Sequence, residues 1–273
     1  MWNLIKMDFY RLFSSKAIKV GALIACLMCA GYILFSVGMI ALFRFALSED
    51  PESALQIGAF LPQAAWLGGV DFAEVVFGGT AILSLFIGCM VSANFIGAEQ
   101  SCGYTKNFAG QLPNKGYMAI SKFVVTSFVQ ALILFIYVLA TSVLTWALLG
   151  KYINGYSIGA LLSALGLRLM LHLAINAIIV FLCTLTKSHA IAMVAGCIFG
   201  IGITHIGYIA VGMVLNIMKI NFDIINYMPD GINSQLALDT VGELSVKAIA
   251  VSIVFMAAFL TANYFVVRKR DVK

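Results

Sequence analysis

The stretch Phe123–Leu149, FVVTSFVQALILFIYVLATSVLTWALL, contains no aspartate, glutamate, lysine or arginine. As an α-helix rising 1.5 Å per residue, a run of this length can cross the roughly 30 Å hydrocarbon core of a bilayer. Its continuous apolar character differs from the alternating segments of a membrane barrel. A helix is the required form, because lipid offers no partner to free backbone amides. The stretch therefore predicts a transmembrane helix.

The composition of the whole chain supports the same class. Of its 273 residues, 62% are hydrophobic and only 11% are charged, whereas soluble domains are about 25% charged. Because so few charges cannot cover the surface of a soluble particle, an ordinary soluble enzyme is excluded.

Six apolar runs of this kind appear with a window of about 19 residues. The first is longer than the roughly 7–15 residues of a signal-peptide core, so we expect it to be retained. We expect an all-α membrane protein, with a single transmembrane domain over residues 1–273. The six predicted spans are residues 20–43, 74–95, 123–149, 158–184, 190–213 and 246–267.

The basic residues predict the orientation of these spans. Twelve lysines and arginines fall on the side that carries both termini, and four fall on the other side. The acidic residues show the reverse distribution, with three and nine. The positive-inside rule therefore places both termini in the cytoplasm. The net charge of +5 is explained by topology, and we expect no nucleic-acid partner.

Before the first span, an apolar stripe recurs at helical spacing, and the polar residues Lys6, Arg11 and Ser14 lie away from it. Such a pattern is typical of a helix that lies in the membrane interface. We expect this surface helix to bend near Ser14 and Ser15 into the first span; a disordered basic leader is the alternative. The stripe consists of Trp2, Ile5, Phe9, Leu12 and Phe13.

Several kinds of reaction chemistry are missing from the sequence. The segment Gly97–Tyr104 approaches the spacing of a phosphate-binding loop but lacks the lysine that must reach the phosphates. The Cys26-x-x-Cys29 pair lies inside an apolar span without a second pair, so neither a zinc site nor a disulfide is implied. We expect no catalytic residue, metal or cofactor in this chain.

Polar residues inside the spans form one group. Arg168, His172 and Asn176 are four residues apart and so share a helix face. Because an arginine near mid-bilayer costs at least about 2.5–3.5 kcal/mol, this face must contact protein or water. It is either the polar wall of a translocation path or a structural anchor that binds backbone carbonyls or a neighbouring helix.

The fifth span contains GCIFGIGITHIG, in which Gly196 and Gly200 form a G-x-x-x-G motif. Small residues let helix backbones approach closely. Packing within the chain and packing across a dimer remain equally open. We expect His205 beside the motif to be a satisfied interhelical donor.

The most polar segment, EQSCGYTKNFAGQLPNKGYMAISK, runs from Glu99 to Lys122 on the predicted cytoplasmic side. Residues 104–108 can form a short helix in which Tyr104 and Phe108 share an apolar face and Lys106 faces solvent or a partner. This location makes the segment available to a cytoplasmic protein. The alternative is a solvated connection that only joins two helices.

The pattern E-x-x-x-G-Y-T-K-N, followed by L-P-N-K and S-K, resembles the loop between the second and third spans of bacterial ABC-transporter permeases of the type-2 exporter class. In that family the loop forms the coupling helix that docks on a separate ATPase. The Phe108–Gln111 stretch departs from the leucines of many members. The resemblance places ATPase coupling on Glu99, Gly103, Thr105, Lys106, Asn107, Pro113, Lys115 and Lys122. The apolar face of the short helix adds Tyr104 and Phe108 to these candidates.

This resemblance implies an interfacial elbow helix over residues 2–16, a coupling loop over 97–122 and short outer helices within 214–245. It also implies a second permease copy, or a homologous permease, and two ATPase subunits that carry ATP and Mg²⁺. First and fifth spans line the dimer interface in this family, which would fit Gly196 and Gly200. The expected function is export of amphipathic or antimicrobial peptides, or lipophilic compounds, across the bacterial plasma membrane. A secondary transporter and a non-transporting scaffold or sensor subunit are the alternatives.

Overall fold

A computed structural model of the chain describes residues 1–49, 70–80, 83–101, 114–219 and 222–269. The architecture of these ranges is all-α, as the sequence predicts. A short parallel pairing of β1 (Val70–Asp71) with β2 (Ile153–Gly155) is the exception among the described residues. The helices are α1 (Trp2–Ser14), α2 (Lys16–Glu49), α3 (Phe72–Thr80), α4 (Leu83–Ser101), α5 (Tyr117–Leu149), α6 (Ile158–Thr186), α7 (His189–Ile201), α8 (Thr204–Ile217), α9 (Pro229–Gln235) and α10 (Val241–Lys269).

Within the described ranges, five helical segments are long and apolar enough to cross a membrane, and a bent pair of helices gives a sixth candidate. The helices extend beyond several predicted bounds; α2, for example, starts at Lys16 and continues to Glu49. Because an α-helix makes its backbone hydrogen bonds within itself, polar flanking residues can continue it past the bilayer core. The five segments are Lys16–Ser48, Phe72–Glu99, Tyr117–Tyr152, Ile158–Thr186 and Val241–Lys269.

The fifth predicted span, 190–213, is not one straight helix. Its two halves, α7 and α8, are bent by 72° relative to each other. The break lies at Gly202, whose φ of +80° is a left-handed conformation that glycine adopts at low cost. The amide of Gly202 donates to the carbonyl of Ile198 and so closes the end of α7. The predicted fifth span is therefore bent at Gly202, and its passage across a membrane as one span stays a prediction.

The short helix α9 begins at Pro229, with the proline in the first helical turn. Proline is favoured there because its missing N–H would have no intrahelical partner. α9 packs against α6 and buries Ile232 fully. This helix is therefore part of the protein core, and it lies within the 214–245 range where the resemblance implies short outer helices.

The bundle is held by three long helix pairs: α10 packs along α6, α7 along α4, and α2 along α5. Near β1 and β2, the Asp71 carboxylate accepts hydrogen bonds from the backbone amides of Ala73, at 2.7 Å, and Ser157. Burial raises the pKa of Asp71, but the hydrogen bonds from Ser157 and Ala73 outweigh it, and the pKa lies below its ordinary value. This clamp joins the start of α3 to the start of α6.

Candidate functional site

A cluster of charged side chains lies where α1, the end of α4 and the start of α5 meet. The Nζ atom of Lys122 donates to Asp8 Oδ1 at 2.7 Å and also pairs with Glu99 Oε2. Arg11 Nη1 donates to Glu99 Oε2 at 2.9 Å and to Asp8 Oδ1 at 3.3 Å. Ser121 Oγ donates to Asp8 Oδ2 at 2.6 Å. These five residues are called the inner charge cluster below.

The inner charge cluster is buried as well as charged. Asp8 is 0% exposed, Glu99 is 3% exposed, and Lys122 is 8% exposed. Two carboxylates face two cationic side chains, so the named groups balance in charge. Burying a single charge is costly, and removing one partner from a buried pair costs about 3–5 kcal/mol. The cluster therefore fixes three chain segments relative to one another.

The ring of Phe95, one turn before Glu99 on α4, underlies both cations of the cluster. The Arg11 guanidinium carbon lies 5.3 Å from the ring centroid, and Lys122 Nζ lies 5.7 Å from it. A cation over an aromatic face gains electrostatic attraction from the ring quadrupole. The aromatic ring thus supports the cluster from the apolar side of the bundle.

The contacts of α1 extend beyond the apolar stripe that the sequence predicts. Arg11, which the spacing places away from the stripe, is bound in the cluster. The apolar stripe is divided, because Ile5 and Leu12 are buried whereas Trp2 is exposed. The buried Asp8 explains why only part of the stripe is buried. Its ion pair with Lys122 directs the side of α1 that carries Asp8 toward α5. The existence of α1, but not its contact face, could be read from the apolar spacing.

The predicted ATPase-coupling residues divide into two groups. Glu99 is in the inner charge cluster, and Lys115 is in the turn that begins α5, where its carbonyl accepts from the Met118 amide at 3.0 Å. Lys122, which also belongs to the resembled pattern, pairs with Glu99. The remaining residues lie outside the described ranges: Gly103, Tyr104, Thr105, Lys106, Asn107, Phe108 and Pro113.

Asn114, the described residue that follows 102–113, is also held by hydrogen bonds. Asn114 Nδ2 donates to the Tyr264 hydroxyl on α10 at 2.6 Å, and Asn114 Oδ1 accepts from the Gly116 amide at 2.9 Å. A Cβ at Gly116 would lie 2.4 Å from the Tyr264 ring, so the backbone approaches α10 closely here. The described residues on either side of 102–113 therefore contact the bundle through Glu99 and Asn114.

The polar group within the spans faces protein. Arg168 is 1% exposed; its Nη1 donates to the Phe77 carbonyl at 2.6 Å and its Nη2 to the Leu236 carbonyl at 3.2 Å. Its guanidinium carbon also lies 3.5 Å from the Phe77 ring centroid. These contacts are those expected of a structural anchor. They join α6 to α3 and to the residue that follows α9.

The two other members of this face are less well satisfied. Asn176 Nδ2 donates to Thr126 Oγ1 at 2.9 Å, and Thr126 Oγ1 donates to the Lys122 carbonyl at 2.8 Å. His172 is fully buried, and neither of its ring nitrogens has a hydrogen-bond partner among the described residues. A buried polar group of this kind is uncommon, because its desolvation is uncompensated. A role of this face in translocation stays a prediction.

The glycine motif of α7 packs on α4 within the chain. A Cβ at Gly200 would lie 2.6 Å from Phe86 Cα, and one at Gly196 would lie 3.0 Å from Cys89 Cβ. Close helix approach is the structural reason for two small residues here. Of the two alternatives, the structure shows packing within the chain. A contribution to dimer packing stays a prediction.

A second polar group lies at the break between α7 and α8. Tyr208 and Thr204 both donate to Asp230, the former at 2.8 Å. His205 contacts Ser234 Oγ through Nε2 and the Gly202 carbonyl through Nδ1, each at 2.9 Å. The prediction that His205 is a satisfied interhelical group is confirmed. Within the described ranges, no three His, Cys, Asp or Glu residues are placed to hold a metal ion.

Sequence reasoning missed Asp8, Arg11 and Ser121 as members of the inner charge cluster. One signal was available: Asp8 is the only acid before Glu49, and a lone acid in an apolar helix needs a cationic partner. Comparison of the chain with family models found no match. Comparison with curated proteins found none either. The function is therefore inferred from the site itself.

Proposed function

We propose that this chain is the transmembrane subunit of an ATP-driven ABC exporter that moves amphipathic or antimicrobial peptides, or lipophilic compounds, out of the cell. ATP hydrolysis and its Mg²⁺ belong to two separate ATPase subunits. A second permease copy, or a homologous permease, completes the path across a bacterial plasma membrane. The chain itself carries no reaction chemistry in this proposal.

One observation carries the proposal: the inner charge cluster fastens the polar segment that connects the second and third candidate spans. Glu99, at the end of α4, is the first residue of this segment, and Lys122, on α5, is its last residue. A solvated connection that only joined two helices would need no buried ion pairs at its base. A segment that transmits force to the bundle needs rigid contacts with the helices on either side of it. Without them, the segment would move while the helices stayed in place.

The proposed topology has six spans, with α7 and α8 together as the fifth, and both termini in the cytoplasm. α1 is the interfacial elbow helix. Its exposed Trp2 and Tyr10 are aromatic residues of the kind enriched at membrane interfaces. The basic flanking residues supply the orientation.

The nature of the spans supports an apolar cargo. Arg168 and Asn176, two strongly polar side chains of the spans, bind partners within the chain. Large apolar side chains, including Leu27 and Phe35 of α2, remain exposed on the single chain. A path between two such chains would offer a mainly apolar wall, which suits amphipathic peptides and lipophilic compounds better than sugar polymers.

The experiment measures ATP hydrolysis and export together in proteoliposomes that contain the permease and its ATPase. Lys106→Ala and Phe108→Ala are expected to lower export while ATP hydrolysis continues, because the docking contact no longer transmits motion. Lys151→Ala, at the opposite end of α5, is the matched control. Normal coupled export by both segment variants would overturn the docking assignment, as would labelling of the segment from outside the cell.

A secondary carrier is the second candidate, and the unpartnered His172 is the observation that favours it. A buried ionisable residue within a membrane segment is a common element of proton-coupled transport. His172→Gln in reconstituted vesicles separates the two proposals. A carrier would lose uptake driven by a proton gradient, whereas an ATP-driven exporter would transport without any gradient and would need its ATPase.

A further inference from the structure

We infer that the groove between the bend after α1 and the side of α4 is a binding site for an anionic phospholipid. The groove has a volume of about 740 Å³, within the roughly 300–1,000 Å³ of sites for small organic ligands. Its walls come from the last turn of α1, the first turns of α2, the middle of α4 and Met193 of α7. This inference does not depend on the ATPase partner.

One end of the groove is polar and cationic. Tyr10, Ser14 and Lys16 line it, and all three are exposed. Lys16 forms no ion pair with any described residue, unlike Arg11, which lines the same end but is held by Asp8 and Glu99. An exposed lysine with no protein partner is suited to a phosphate, and each such lysine near a membrane surface contributes about 1 kcal/mol toward anionic lipid.

The remainder of the groove is mainly apolar, and Asn94 is the polar residue of α4 that lines it. It continues from Lys16 along α2 past Val20 and Ile24, and it faces Phe86 and Met90 on α4. Lys16 and Ile24 are two helical turns apart, so the cationic end and the apolar wall are separated along the membrane normal. The polarity of the groove therefore matches that of a phospholipid, with the phosphate at the bend and an acyl chain beside α2.

Native mass spectrometry of the purified chain in detergent tests this inference. Phosphatidylglycerol and phosphatidylcholine with identical acyl chains are added at equal concentrations, and bound lipid is counted. We expect the unmodified chain to retain phosphatidylglycerol preferentially. Lys16→Gln is expected to weaken that retention about fivefold, which corresponds to the loss of about 1 kcal/mol, and to leave phosphatidylcholine unchanged.

Two further variants sharpen the result. Lys151→Gln removes the same charge at the far end of α5 and should leave lipid retention unchanged. Val20→Trp fills the apolar wall and should lower retention of both lipids. Equal retention of the two lipids by the unmodified chain, or equal effects of the two lysine variants, would overturn the inference. A shift from dimer to monomer with Val20→Trp, without loss of lipid, would instead identify the groove as an interface between two copies and would also overturn it.

Discussion

The substitution Asp8→Asn tests the inner charge cluster most directly. The carboxylate of Asp8 accepts from Ser121 at 2.6 Å, from Lys122 at 2.7 Å and from Arg11 at 3.3 Å. An amide of the same shape removes one negative charge and turns an N–H group toward a cation. Breaking a buried ion pair on one side costs about 3–5 kcal/mol. We expect a loss of about 3 kcal/mol, because both cations retain Glu99.

The assay is reversible unfolding in mixed micelles titrated with a denaturing detergent and followed by circular dichroism. Asp239→Asn, at an exposed position on the chain, removes the same charge and should change the free energy of unfolding by less than about 0.5 kcal/mol. The double variant Asp8→Asn with Lys122→Met restores the balance of charge and should recover at least half of the loss. Equal effects of Asp8→Asn and Asp239→Asn would refute the reasoning.

Three further variants test other parts of the bundle. Gly200→Ala places a methyl group against the backbone of α4 and should cost about 1–3 kcal/mol in the same unfolding assay; Gly207→Ala, whose methyl would meet no described atom within 4 Å, is its control. Arg168→Met leaves two buried carbonyls without their donor, at about 1–3 kcal/mol each; unchanged stability with lost transport would instead favour a path role. The hydrogen bonds of Asp71 contribute stability that is complete above the ordinary aspartate pKa of about 3.9 and is lost as pH falls through its lowered folded pKa; a stability profile that Asp71→Asn leaves unchanged at acid pH would contradict this.

The helical class of the chain and most of its candidate spans could be predicted, because long apolar runs depend on composition alone. The run Phe123–Leu149 lies wholly within α5. The break at Gly202 could not be predicted, because a glycine in an apolar helix is compatible both with close packing and with a bend. Whether the helix is straight or bent depends on tertiary contacts. Thr204 and Tyr208 bind Asp230, which lies on a different helix.

The candidate site was predicted in part. Glu99 and Lys122 were identified through a resemblance in sequence, and the structure shows that they contact each other. Asp8 was missed because single-helix periodicity describes apolar faces and contains no information about a partner more than a hundred residues away. Pairing of buried charges is a tertiary property, and only the assembled bundle determines it.

The distribution of the anchors suggests how a force on the 102–113 segment would spread. α4 comes directly before this segment in the chain. The inner charge cluster joins α4 to α1 and α5 through buried ion pairs. Asn114 comes directly after the segment, and it donates a hydrogen bond to Tyr264 of α10. Because paired buried charges resist separation more strongly than one neutral hydrogen bond, α1, α4 and α5 should move as one body, and α10 should yield first. In the proposed exporter, opening would therefore begin between α5 and α10, at the bond from Asn114 to Tyr264.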